Sequence, residues 1–169
     1  MKILEITQEF PVPLETLLKA RQERYKHLDK FPELKNVKVI EDRQEGNQLV
    51  QIRHISIGAS VPPVLAQILP KGSDTLVEES VFYLDSNKHN FKVVPSGNNE
   101  SLFVIQGESF YEKLNETSSV RKYKIQITSK VLFLGPAVEI AIAEIYSNSL
   151  KKDMDSIKHF IEMLQKNEI

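Results

Sequence analysis

The chain has no cysteine. Disulfides, thiol nucleophiles and cysteine-based zinc sites are therefore excluded together. Glycine is sparse, and Gly46, Gly58 and Gly72 stand alone, so no glycine-rich loop is present to cradle a phosphate. Neither sign of charge dominates. With 22 basic and 23 acidic residues, no whole-molecule field steers the protein to nucleic acid or to anionic lipid. No apolar run is long enough to span a bilayer: the greasiest stretch, residues 131–146, breaks at Gly135-Pro136 and carries Glu139 and Glu144. The opening MKILEITQEF alternates and contains Glu5 and Glu9, which is not the pattern of a signal peptide. His27, His54, His89 and His159 form no pair at i, i+4, and no carboxylate-rich loop reads as a calcium site, so neither a metal nor another cofactor is expected. At 169 residues the expectation is one domain, 1–169, cytoplasmic, large enough to bury a core without staples.

What is present is mostly period-two alternation, with the period changing twice. Residues 2–10 alternate as a first strand and stop at Pro11 and Pro13. Residues 14–28 carry Leu14, Leu17, Leu18 and Arg21 at helical spacing, and Pro32 ends that zone. Residues 36–58 read as two strands around Glu45-Gly46-Asn47. A Pro-bounded segment, 59–74, has room for about two helical turns. Strands are then expected at 76–85, 90–95, 101–114 and 120–134, with a long helix from Pro136 to about Gln165. Six strands joined by short turns favour an antiparallel meander. In the last of them Lys122, Lys124, Gln126, Thr128 and Lys130 share a wet side, while Tyr123, Ile125, Ile127, Ser129 and Val131 share a dry one. The lysines have no interleaved aromatics, so that wet side is a solvated strand face and not a nucleic-acid surface.

The terminal helix divides in two. Its second half shows Leu150, Met154, Ile157, Ile161 and Leu164 opposite Lys151, Lys152, Asp155, Lys158 and Glu162, an amphipathic stripe. Its first half places Val138, Ile140, Ala141, Ile142, Ala143 and Ile145 on most azimuths and so requires apolar neighbours on more than one side. The sheet supplies one neighbour, and Val64, Leu65, Ile68 and Leu69 supply the other. Two packings satisfy this pattern: a solid core, or two lips of an apolar pocket with the 61–70 segment as a lid. Small Ala137, Ala141 and Ala143 leave room for the second.

Strand, two short helices, a six-strand meander and a C-terminal helix, in that order, resemble the helix-grip fold of the START-like superfamily. The stretch FPVPLETLLKARQERYKHLDKFPELKNVKVIEDRQEGN is similar to polyketide-cyclase and coenzyme-Q-binding members. EGNQLVQIRHI, VPPVLAQIL, VEESVFYLD and EIYSNSLKKDMDSIKHF resemble the PRELI lipid-transfer family and a related bacterial family. The resemblance implies an α+β fold in which a seven-stranded curved antiparallel sheet grips the long helix around a hydrophobic or amphipathic guest. It also implies a role for Arg53, which falls where the lipid-transfer relatives carry an arginine that could meet an anionic headgroup bidentately.

The candidate ligand-binding residues are Arg53, Leu65, Ile68, Tyr83, Tyr123, Ile125, Ile127, Ile142 and Tyr146. Tyr123 and Tyr146 offer hydroxyls inside an apolar space. Arg53 and His54 are adjacent on one strand, so only one of them points inward; an inward Arg53 is expected to pair with Glu79 or Glu108. The leading expectation is non-catalytic binding or transport of a lipid or other hydrophobic small molecule, with transient membrane contact as a corollary. One rival is a cyclase- or aromatase-like enzyme using a Tyr, His or Arg, although no His–carboxylate pair is visible in the sequence. The other is a protein-interaction module with its partner at 61–70.

Overall fold

A computed structural model describes residues 1–57, 61–70, 74–97 and 99–169. The alternating segments form β1 (Lys2–Phe10), β2 (Val37–Glu45), β3 (Gln48–Ser56), β4 (Thr75–Tyr83), β5 (Lys88–Pro95), β6 (Val104–Asn115) and β7 (Ser118–Thr128). They make one antiparallel sheet in the order β1-β7-β6-β5-β4-β3-β2. Consecutive strands from β2 onward pair as hairpins, and β1 closes against the last strand, with Ile6 opposite Tyr123. Tight turns sit where the residues tolerate positive φ: Gly46 at +59° and Asn87 at +55°. The parity expected for β7 is observed, with Tyr123, Ile125 and Ile127 buried and Lys122, Lys124 and Gln126 exposed. This is the helix-grip α+β architecture.

Three departures from the sequence expectation exceed a shift of a few residues at a strand end. The first helix, α1 (Leu14–Glu23), stops early and continues as 3₁₀ turns at Arg24–Lys30 and Pro32–Leu34. The kink falls at His27, and Phe31 is pushed to an extended backbone by the proline that follows it. The last strand ends at Thr128 rather than 134, because Ser129 turns out of the sheet: its N–H donates to Glu139 at 2.9 Å and its Oγ to the Leu102 carbonyl at 2.6 Å. Val131 therefore does not extend the dry face, and Leu132 and Phe133 are exposed rather than part of a wall. The Pro-bounded segment holds one short helix, α2 (Pro63–Ala66); Ala59, Ser60, Gly58 and Gly72, expected to flank it, lie outside the described residues.

The long helix α3 (Gly135–Gln165) begins with Pro136 in its first turn, where no donor is lost. Its first half explains the greasy pattern. Val138, Ile142, Ala143 and Tyr146 pack in one cluster with Leu65 of α2 and with Phe91, Val93, Ile105, Ile125 and Ile127 of the sheet. Ile140 escapes this cover and is exposed. Ile157, Phe160, Ile161 and Met163 of the second half belong to a separate cluster with Phe10, Leu17, Phe31, Phe82 and Tyr111. The helix is thus seated at both ends, and its middle bridges the gap.

One close approach constrains the sheet. A methyl group on Gly107 would run into the ring of Phe91, its partner across β5 and β6. Gly107→Ala should therefore cost about 1–3 kcal/mol by overpacking, read as a lower urea midpoint with an unchanged m-value.

Candidate functional site

α3 packs on β1 and β7, at one margin of the sheet. The inner face of β3–β5 is left partly uncovered, and a cavity of about 470 Å³ lies between it and the middle of the helix. Ile55, Ile57, Leu76 and Phe91 form the sheet wall, facing Ala141, Ile145 and Leu150 of α3. Exposed Asn36, Ser56, Glu144, Asn148, Ser149 and Lys152 surround the rim.

The other end of the cavity is charged. Asp153, on the inward stripe of α3, accepts from Arg24 Nη1 at 2.6 Å through one oxygen and from Arg121 Nη1 at 2.8 Å through the other. Arg121 also donates through Nε to Gln8 Oε1 at 2.9 Å, and Gln8 returns its amide to the Leu150 carbonyl at 3.2 Å, which ties the helix to β1 and β7. Arg53 donates to Glu78 and to the Tyr25 hydroxyl. Arg21 donates to Tyr111 Oη at 3.2 Å, and its guanidinium lies 4.1 Å from the centre of the Phe82 ring. Ser109 Oγ is 3.4 Å from His89 Nδ1.

These surroundings set the protonation states. Burial opposes ionisation of Asp153, but Arg24 and Arg121 outweigh it and hold the carboxyl well below the usual carboxylate range. Burial, reinforced by Arg21, Arg53 and Arg121, keeps His89 neutral at physiological pH. Burial pushes the Tyr123 and Tyr146 hydroxyls up. At Tyr111 burial acts in the same direction, yet Arg121 and Arg21 prevail and leave its pKa below the ordinary value. The site is therefore an apolar chamber ending in a buried array of fixed charges and neutral hydroxyls.

Of the nine residues singled out in the sequence, Arg53, Tyr123 and Tyr146 line the cavity. Ile125, Ile127, Ile142 and Leu65 do not; they are buried in the packed cluster beneath the helix start, where Ile68 also packs. Tyr83 follows the buried Phe82 on β4, so it points to the opposite face of the sheet, away from the cavity. Arg53 is paired, but with Glu78 and not with Glu79 or Glu108: Glu78 lies directly across from it on β4 and faces inward, whereas Glu79 faces outward and Glu108 meets Lys88. The lips expected from α2 and the first half of α3 are packed against each other as core, with Leu65 fully buried. The open space lies further along the helix.

Sequence reasoning missed Arg24, Glu78, His89, Arg121 and Asp153, and weighed Tyr111 with the other tyrosines without keeping it as a candidate. The signal was parity. Arg121 sits two residues before Tyr123 on the dry face of β7, Glu78 lies between Leu76 and Ser80 on the buried face of β4, and Asp153 lies on the helix face of Leu150 and Ile157. A His–carboxylate pair also exists: His159 Nδ1 lies 3.3 Å from Glu33 Oε1, with Glu33 on the cavity wall and His159 packed edge-on against Phe31. Among the described residues no cluster could hold a metal ion, and no helix is long and apolar enough to cross a membrane.

The family described as "Protein of unknown function (DUF2505)" matches residues 5–161. The chain belongs to that family. No curated protein matches it. Among solved structures it is similar to the ZhuI aromatase/cyclase from Streptomyces sp. R1128, at 10% identity and a TM-score of 0.63, covering 96% of this chain and 94% of that one. It is also similar to norcoclaurine synthase from Thalictrum flavum in complex with dopamine and hydroxybenzaldehyde, at 14% identity and a TM-score of 0.66 over 95% and 86% of the two chains. A START superfamily protein from Mycobacterium smegmatis aligns over 96% of this chain and 98% of its own, at 16% identity and a TM-score of 0.56. At these identities the likeness is one of fold: the DUF2505 chain has a START-like fold.

Proposed function

We propose that this protein binds a hydrophobic or amphipathic small molecule, a lipid among the candidates, in the cavity between the sheet and the middle of α3, and carries it without covalent chemistry. The observation behind this reading is the cavity itself: about 470 Å³ beside a helix whose two ends are fully seated. A chamber of this size falls within the range of small-molecule sites. Burying roughly 200 Å² of apolar ligand surface there contributes about 5 kcal/mol at 25 cal/mol per Å², before ordering costs. The fold likeness to norcoclaurine synthase, whose structure is a complex with dopamine and hydroxybenzaldehyde, agrees with it.

The test is native mass spectrometry of the purified protein, followed by solvent extraction and uptake of a fluorescent apolar probe. Ala141 lines the cavity from the helix side, so Ala141→Phe should fill the space. The expected result is at least about a tenfold loss of probe affinity with the thermal midpoint nearly unchanged. A wild-type protein that carries no small molecule and takes up no probe would overturn the reading.

A further inference from the structure

The interior end of the cavity is short of negative charge. Arg21, Arg24, Arg53 and Arg121 face it, against the two carboxylates of Glu78 and Asp153. Arg24 and Arg121 are almost wholly buried, so solvent does little to neutralise them. At the rim Lys152 stands against Glu33 and Glu144, and Glu33 is already turned toward His159. The wall as a whole still keeps a positive excess.

Donors at this end also remain unused. Arg24 Nε and Arg53 Nε are buried and meet no acceptor among the described residues. Buried donors of this kind are normally satisfied, and two on guanidinium groups whose side chains line one end of the cavity favour an acceptor-rich group there.

Size limits the remainder of the guest. A cavity of about 470 Å³ lies in the lower half of the range of small-molecule sites, roughly 300–1,000 Å³. That favours a single short chain or a small ring system over a two-chain phospholipid.

From these three observations we infer that the guest is a compact amphipathic anion: one carboxylate or phosphate monoester, seated toward Arg24 and Arg53, on a single short chain or a small ring system lying along Phe91, Leu76 and Ile145. This inference rests on the binding role proposed above and specifies its ligand class.

Isothermal calorimetry with dodecanoate, dodecyl phosphate, dodecanol and dodecylammonium at pH 8 tests it, all below their micelle concentrations. Dodecanoate or dodecyl phosphate should bind at least tenfold more tightly than dodecanol, and dodecylammonium most weakly. The anion preference should shrink as salt is raised. Arg21 is the variant of choice: it carries no ion pair among the described residues and is only partly buried, so Arg21→Gln should fold normally and narrow the anion-to-alcohol ratio at least threefold. Arg53→Gln, read alongside a thermal melt, should narrow it further. Equal affinity for dodecanol and dodecanoate overturns the anion assignment and leaves the binding role standing. Binding of none of the four overturns both. Extraction of dioleoylphosphatidic acid from vesicles into a one-to-one complex overturns the size limit, and stoichiometric binding of inorganic phosphate alone overturns the requirement for an apolar tail.

Discussion

Asp153→Asn should lower the unfolding free energy by about 3–5 kcal/mol at pH 7. The two guanidinium groups that the carboxylate joins, those of Arg24 and Arg121, are 2% and 1% exposed. An asparagine can accept from only one of them, and its amide would turn two donors toward the other. Two buried cations would then face each other without a counter-charge. The Asp153 side chain is itself 19% exposed, so water screens part of the loss and the lower half of that range is expected. The effect carries a pH signature. The folded pKa of Asp153 is depressed below its unfolded value, so its stabilisation is fully present above the ordinary carboxylate pKa and disappears as pH falls through the folded one. The gap between wild type and variant should therefore close by about 1.4 kcal/mol per pH unit below roughly pH 4. Urea titrations at pH 7 and pH 3 measure both numbers. A gap unchanged between the two would show that Asp153 is not ionised in the role the network assigns it.

The same network shows what sequence could and could not disclose. Strand parity in Lys122–Thr128 located the wet and dry faces, and the change of period after Pro136 located the long helix, because both are written locally. The START-like order of elements followed from those two signals. Arg53, Tyr123 and Tyr146 were reachable for the same reason: each sits at an inward position of its own element. Arg24 continues the helical spacing of Leu17 and Arg21, so its face was legible; its partners were not, because Asp153 and Ser156 lie on α3 and no local pattern states how the two helices meet. The pairing of Arg53 with Glu78 needed the β3–β4 register, which depends on a loop whose path no local pattern states. The position of the cavity was the largest displacement. Apolar richness marked the first half of α3, but richness is what a tightly packed seat requires, whereas the open space formed where polar side chains interrupt the stripe.

That contrast gives the architecture a physical logic. Two apolar clusters fix α3 at its ends, one around Phe91, Ile125 and Ile142, the other around Phe10, Phe31 and Phe160. Between them the helix presents Tyr146, Leu150 and Asp153 to a sheet face carrying Glu78, His89 and Arg121. Charged groups require fixed partners when taken out of water. The ion pairs and the two clusters together fix α3 at one margin of the sheet, and the inner face of β3–β5 stays partly uncovered beside it.

Leu65→Asp should abolish cooperative folding. Leu65 is fully buried, and α2 presents it to the same cluster that receives Val138 and Ile142. Losing the leucine side chain costs about 2–5 kcal/mol, and a carboxylate placed there without a donor adds several more. Together these approach the whole stability of about 5–15 kcal/mol typical of a domain. The surrounding backbone offers little relief, since the Leu65 and Ala66 amides are already committed to the Pro62 carbonyl, both at 3.0 Å. Ile68 makes the control. It is only partly buried against the same cluster, so a carboxylate there can reach water, and Ile68→Asp should melt cooperatively with a loss of about 1–3 kcal/mol. Circular dichroism melts of the two variants separate the cases. If Leu65→Asp melted like wild type while only association changed, α2 would be a contact patch for another protein rather than the inner seat of the grip. Pro62, on the cavity rim one turn before Leu65, would then have no fixed anchor, and the chamber would lose that wall.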